Sequence, residues 1–241
     1  MPKVLIIEDD ATSAHLLKTI LSKLDCESTV ESKIESAWDT TRREIIFDFC
    51  LLDVHLTDGD ARDFLKPLRR HPILKKLPVI ICSQNSEKAM VLDLVQLGIQ
   101  DYQLKPYNRE KIDSAVKKIL DTGPWYQSLS GDLQETGERL GSSQEEVLEH
   151  LKICQKSFEQ AHLNLEAGFK GGNLKSLLQE IDKIRGSSLN LGLTGYKQIA
   201  EAIQAAVEAR KLSNAKDYTT FFRRMLDLMP VDSGIEGPSE S

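Results

Sequence analysis

Four places in the first half of this chain put polar, reactive groups at the ends of candidate strands, three of them continuous apolar runs. Glu8-Asp9-Asp10 follows Val4–Ile7, and Asp53 follows DFCLL (48–52). Ser83 follows PVIIC (78–82), and Lys105 comes directly after the stretch from Ile99 to Leu104. Carboxylates that converge repel one another unless a cation lies among them, and oxygen-only ligands favour a hard divalent ion such as Mg²⁺. A lysine and a hydroxyl beside such an ion can hold a phosphoryl group. The set therefore offers a carboxylate nucleophile at Asp53, a metal clamp, and charge neutralisation by Lys105, which are the components phosphoryl transfer needs.

For these residues to converge, the runs that carry them must lie side by side. Lys3–Ile7, Asp48–Leu52 and Pro78–Cys82 are continuous apolar runs, as expected of parallel strands buried on both faces. Glu27–Val30 is a weaker strand candidate, and Ile99–Leu104 is another. Helical stripes lie between them, at Ala14, Leu17, Ile20, Leu21 and Leu24, and at Ala89, Leu92, Leu94, Val95 and Leu97 before Gly98. Five strands alternating with helices predict a doubly wound α/β sheet, with its binding site outside the carboxyl ends of the strands.

Composition narrows the function classes. The 241 residues carry 31 Lys and Arg against 37 Asp and Glu, a net charge of −6. That balance disfavours general nucleic-acid binding, which needs clustered cations. No apolar run approaches the roughly 20 residues of a membrane span, so no membrane insertion is expected and the expected location is cytoplasmic. Cys26, Cys50, Cys82 and Cys154 lack zinc-ligand spacing and read as buried thiols.

Residues 1–121 resemble a response-regulator receiver domain, a flavodoxin-like α/β fold. The resemblance rests on VLIIEDD (4–10), LLDVHLTDGD (51–60), PVIICS (78–83) and DYQLKP (101–106), in that order and spacing. It implies that Asp53 is the phospho-acceptor. It makes Glu8, Asp9, Asp53 and the backbone carbonyl of His55 the Mg²⁺ ligands. Ser83 would bond the phosphoryl oxygen, Lys105 would pair with it, and Ser83 and Tyr102 would form the switch. The resemblance also implies a cis bond at Lys105–Pro106. Thr57 and Ala61 stand where proline and glycine are usual.

Residues 122–142 hold four glycines and a proline and read as a linker, with a short helical piece near Leu133–Leu140. Trp125 and Tyr126 would pin it to one domain by packing. From 143 to 230 the chain reads as four helices. They run to about Phe169, over Leu174 to about Asn190, about Thr194 to Arg210, and about Asn214 to Met229. The first opens on a capping box, either Ser142 with Glu145 or Ser143 with Glu146. Short connections suggest an up-down bundle. Residues 231–241 read as a disordered tail.

IDKIRGSSLNLG (181–192) resembles the signature of histidine phosphotransfer (HPt) domains, matching at Ile184, Arg185, Gly186, Ser187, Ser188, Leu191 and Gly192. The signature's histidine is replaced by Asp182. A carboxylate cannot carry phosphate as an imidazole does, so Asp182, Arg185 and Gly186 form a degenerate site. Ala161-His162 imitates the start of the signature, but Leu165 and Glu166 break the match, and His150 has no supporting context.

These readings predict a two-component response regulator, not itself an enzyme. Asp53 is phosphorylated by a sensor histidine kinase or an HPt phosphodonor, and output is protein binding by the bundle, with another receiver as one docking partner. The resemblance also allows a homodimer. One alternative is a phosphorelay through a histidine of the second half. Another is a transcription factor using Arg210, Lys211, Lys216, Arg223 and Arg224, although acids interrupt these residues.

Overall fold

A computed structural model describes residues 1–43, 46–84 and 87–231, with the Arg43 side chain excluded. The expected tail lies outside the described residues from 232 on. The chain divides into two compact units, Met1–Tyr126 and Gln127–Ser241.

The first unit is built on β1 (Lys3–Ile7), α1 (Ala11–Ser22), β2 (Glu27–Glu31), α2 (Ile34–Arg43) and β3 (Phe49–Asp53). A two-residue ladder follows, β4 (His55–Leu56) with β5 (Gly59–Asp60), then α3 (Ala61–Arg70) and β6 (Val79–Ser83). The unit continues with α4 (Lys88–Gln96), β7 (Asp101–Leu104) and α5 (Arg109–Asp121). Five strands form one parallel sheet in the order β2-β1-β3-β6-β7. The three central strands are buried along nearly their whole length, which explains their unbroken apolar runs. β2 is an edge strand and reads ESTVE, half exposed. Alternate residues such as Val4, Ile6, Phe49, Leu51 and Ile80 face α1 and α5, forming a core with Leu17, Leu21, Ile112 and Val116.

β1 neighbours β2 on one side and β3 on the other, so the chain reverses its direction of travel across the sheet at β1. The carboxyl ends of β1 and β3 flank that switch point, where α/β sheets place their ligands. Asp53 and Ser83 are the last residues of their strands, one position nearer the sheet than their apolar runs suggest.

The second unit holds α6 (Leu133–Leu140), α7 (Gln144–Gly171), α8 (Leu174–Asn190), α9 (Thr194–Glu208) and α10 (Leu212–Leu226). α7 packs on α8, α8 on α9, α9 on α10, and α10 back on α7, which closes a four-helix bundle. Ser143 and Glu146 form the capping box, and Gly172 ends α7 in the left-handed conformation, φ 64°. Phe158, Tyr196 and Phe222 meet at its centre, with ring centroids 5.6–6.3 Å apart.

The stretch 122–142 is not a single linker. Trp125 Nε1 donates to the Phe47 carbonyl at 2.8 Å and the Tyr126 hydroxyl donates to Asp48 at 3.2 Å, so its start belongs to the first unit. Its remainder belongs to the bundle. Arg139 donates to the Asn190 carbonyl at 2.6 Å and Thr136 to the Leu191 carbonyl at 3.2 Å. Gly131 lies so close to Gly192 that a Cβ would fall 2.2 Å from the Gly192 carbonyl oxygen.

Candidate functional site

β1 and β3 deliver two carboxylates to the same pocket. Glu8 follows β1 and is 2 % exposed; Asp53 ends β3 and is 8 % exposed. Asp9 lies beside them on the surface, and carboxylate oxygens of Glu8, Asp9 and Asp53 come within 4.8 Å of one another. Asp10 does other work. It caps α1, accepting from Ser13 N at 2.7 Å, and that bond holds its pKa below the usual carboxylate range.

Lys105 joins the two buried acids. Its backbone N–H donates to the Ser83 carbonyl at 2.7 Å, which aligns β7 with β6. Its Nζ then lies 2.7 Å from both Glu8 Oε2 and Asp53 Oδ2. The Lys105–Pro106 bond is cis. Burial alone would lower the Lys105 pKa, but its bonds to Asp53 and Glu8 outweigh this and hold it above its ordinary value. Glu8 is raised, with burial the largest cause. One ammonium against three carboxylates leaves the pocket with excess negative charge and oxygen-only donors. That donor set fits Mg²⁺, which takes one or two carboxylates and keeps several waters.

The loop after Asp53 is fixed by capping. Asp53 Oδ1 accepts from Val54 N at 2.6 Å, and Ala61 N donates to the Val54 carbonyl at 2.9 Å. Asp58 caps α2 from across the chain, accepting from Ile34 N at 3.0 Å and Glu35 N at 3.1 Å. Asp60 caps α3 in a reciprocal box with Asp63. Ala61, at the usual glycine position, is the first residue of α3 and is buried without difficulty. His55 opens β4 two residues past Asp53, with its side chain exposed. Ser83 is fully buried, and Tyr102 lies half-buried on β7, paired in register with Ile81.

Motif reading passes over Tyr107. Its hydroxyl donates to Glu8 Oε2 at 3.1 Å, and its ring centroid is 5.7 Å from Lys105 Nζ. The one available signal was a hydroxyl-bearing aromatic two residues after the lysine.

In the bundle, Asp182 is exposed on α8. Arg185 donates to Asp182 Oδ1 at 2.7 Å and to Gln204 Oε1 at 3.2 Å. Gly186 is exposed, and a Cβ there would meet nothing within 4 Å. Ser188 is buried and bonds back to the Ile184 carbonyl. His162 faces inward: its side chain is 12 % exposed, its Nδ1 is buried without a hydrogen-bond partner, and burial lowers its pKa. His150 is exposed on α7. Of the basic residues named above, Arg223 pairs with Asp227 at 2.7 Å. No helix among the described residues is long and apolar enough to cross a membrane.

The response regulator receiver domain family matches residues 4–117. Chemotaxis protein CheY of Pseudomonas aeruginosa is 24% identical over 119 residues, which are 49% of this chain and 96% of that protein. Chemotaxis protein CheY-3 of Vibrio cholerae is 25% identical over 119 residues, 49% of this chain and 92% of that protein. The crystal structure of a two-component response regulator from Clostridium difficile is 26% identical, with a TM-score of 0.47, and covers 50% of this chain and 97% of its own. The five-stranded parallel sheet, the acids at its switch point and this family match lead to one assignment: residues 4–117 are a response regulator receiver domain of two-component signalling.

Proposed function

We propose that Asp53 accepts a phosphoryl group from a sensor histidine kinase or an HPt phosphodonor, and that the helical unit delivers the output by binding another protein. The observation that carries this reading is Lys105 Nζ at 2.7 Å from both Glu8 and Asp53, beside a third acid. Glu8, Asp9, Asp53 and the His55 backbone carbonyl would hold Mg²⁺. Bound there, the ion draws negative charge from the phosphoryl oxygens.

An Asp53 carboxylate oxygen attacks phosphorus, forming a P–O bond as the donor's P–N bond breaks. The departing imidazole keeps the electron pair and takes up a proton. Lys105 then turns from the carboxylates to a phosphoryl oxygen, and the Ser83 hydroxyl donates to another. Tyr102, on the strand beside Ser83, follows that movement. The protein is a phospho-accepting switch and not an enzyme in its own right.

The bundle is a degenerate HPt domain. Asp182 stands where the histidine would carry phosphate, and His162 faces the interior, so the relay alternative lacks support. What remains is a docking face around Arg185, Gly186 and Ser187, suited to a receiver domain. Phosphate mapping tests the whole reading. With Mg²⁺ and acetyl phosphate, full-length protein should carry label on Asp53, and Asp53→Asn should carry none. Label passing through Asp53 to a histidine in residues 127–241 would overturn the non-transferring bundle.

A further inference from the structure

Glu8 has two oxygens with unequal surroundings. Oε2 receives Lys105 Nζ at 2.7 Å and the Tyr107 hydroxyl at 3.1 Å, while the nearest backbone donor to Oε1 is Asp10 N at 3.4 Å. Both strong donors therefore hold the same oxygen, and Oε1 keeps only the long bond from Asp10 N. The two donors differ in kind. Lys105 is a cation shared with Asp53, and in the function proposed above it turns to the phosphoryl oxygen when that group arrives. Tyr107 is neutral and held from both ends. Its ring packs against the core formed by β1, β3, β6, α1 and α5. Its backbone is fixed by the adjacent Asn108, which caps α5 by accepting from Lys111 N at 3.1 Å.

We propose that Tyr107 is a positioning residue for Glu8: its hydroxyl shares Oε2 with Lys105 and so keeps Oε1 free for the cation, both while Lys105 is in place and after it leaves. The inference rests on the metal reading above. A phenylalanine at 107 would keep the packing and the ring beside Lys105, but it would leave Glu8 Oε2 on a single donor shared with Asp53, and on none once the lysine moved. Outer-shell partners of metal-binding groups contribute on this scale, with losses of 10- to 100-fold in affinity when they are removed. Here the hydroxyl contacts one ligand of a water-rich site, so the low end is expected.

The test titrates Mn²⁺ into full-length protein, with free ion counted by electron paramagnetic resonance and Mg²⁺ as competitor. Tyr107→Phe should raise the dissociation constants of both ions about tenfold while melting within a few degrees of wild type in chelator. The factor should persist in an Asp9→Asn background, because Tyr107 does not act through Asp9. It should vanish in Glu8→Gln, whose amide leaves no charged oxygen to aim. An unchanged or tightened constant in Tyr107→Phe overturns the inference, as does an equal loss in the Glu8→Gln background. If wild type shows no saturable Mn²⁺ binding, the metal reading falls and this inference falls with it. Binding by wild type with no effect of the variant removes this inference alone.

Discussion

A buried histidine shows how much one residue's surroundings can decide. His71 follows α3, and its Nδ1 accepts from Ile73 N at 3.2 Å and Leu74 N at 3.0 Å. Only the neutral ring can accept there. Burial, with Arg42 as a lesser cause, brings its pKa down from 6.5 to about 4. The unfolded chain therefore binds a proton that the folded chain rejects. This contribution is fully present above pH 6.5 and is lost as pH falls toward 4. At 1.36 kcal/mol per unit, the loss is about 2 kcal/mol by pH 5. Denaturant melts at pH 7.5 and pH 5 should show His71→Asn, whose side chain still accepts from those amides, losing about 2 kcal/mol less than wild type. Equal losses would mean that the ring is not held neutral. At the same scale, Asp53 was legible because it closes an apolar run, and Lys105 because it sits in DYQLKP at the right spacing from the other motifs. Tyr107 was not, since its hydroxyl acts on Glu8, 99 positions away in the chain. His71 gave no pattern at all.

At the scale of elements, the glycines of the second unit divide into two kinds. Gly131 has φ 71°, and an added Cβ would lie 2.2 Å from a backbone oxygen that cannot yield. Gly131→Ala should cost more than about 2 kcal/mol. Gly186 lies in the exposed interior of α8 with open space around it, so Gly186→Ala should stabilise the bundle by up to about 1 kcal/mol. If α8 docks a receiver, that same stabilised variant should bind it more weakly. Thermal melts and a receiver-binding titration separate the two effects. The glycines also explain why the helical piece expected at Leu133–Leu140 was placed inside a linker and not in the bundle: Gly131, Gly137 and Gly141 are chain-break signals, yet Gly131 and Gly137 sit at close backbone approaches. The central strands were legible because burial on both faces leaves no polar position. The edge strand β2 was weaker for the opposite reason. α3 gave little helical signal because Pro67 and four basic residues interrupt its buried positions Phe64, Leu65 and Leu68.

For the whole molecule, the division at Tyr126 and Gln127 fixes where the chain can be cut. A fragment of residues 127–231 keeps Leu129, the Gly131–Gly192 approach and the α6 bonds to Asn190 and Leu191. A fragment of 143–231 loses all of them and should be less stable by about 2–4 kcal/mol. Equal denaturation midpoints would return α6 to the status of a linker. The loop that follows Asp53 bears on the first unit in another way. Asp58 holds the opening amides of α2 at Ile34 and Glu35, far along the chain from the pocket. Those two N–H groups have no partner within their own helix and depend on that loop for protection from solvent. Their exchange with deuterated water is thus a label-free gauge of the loop's state: slow while Asp58 stays in place, and fast as soon as the loop departs.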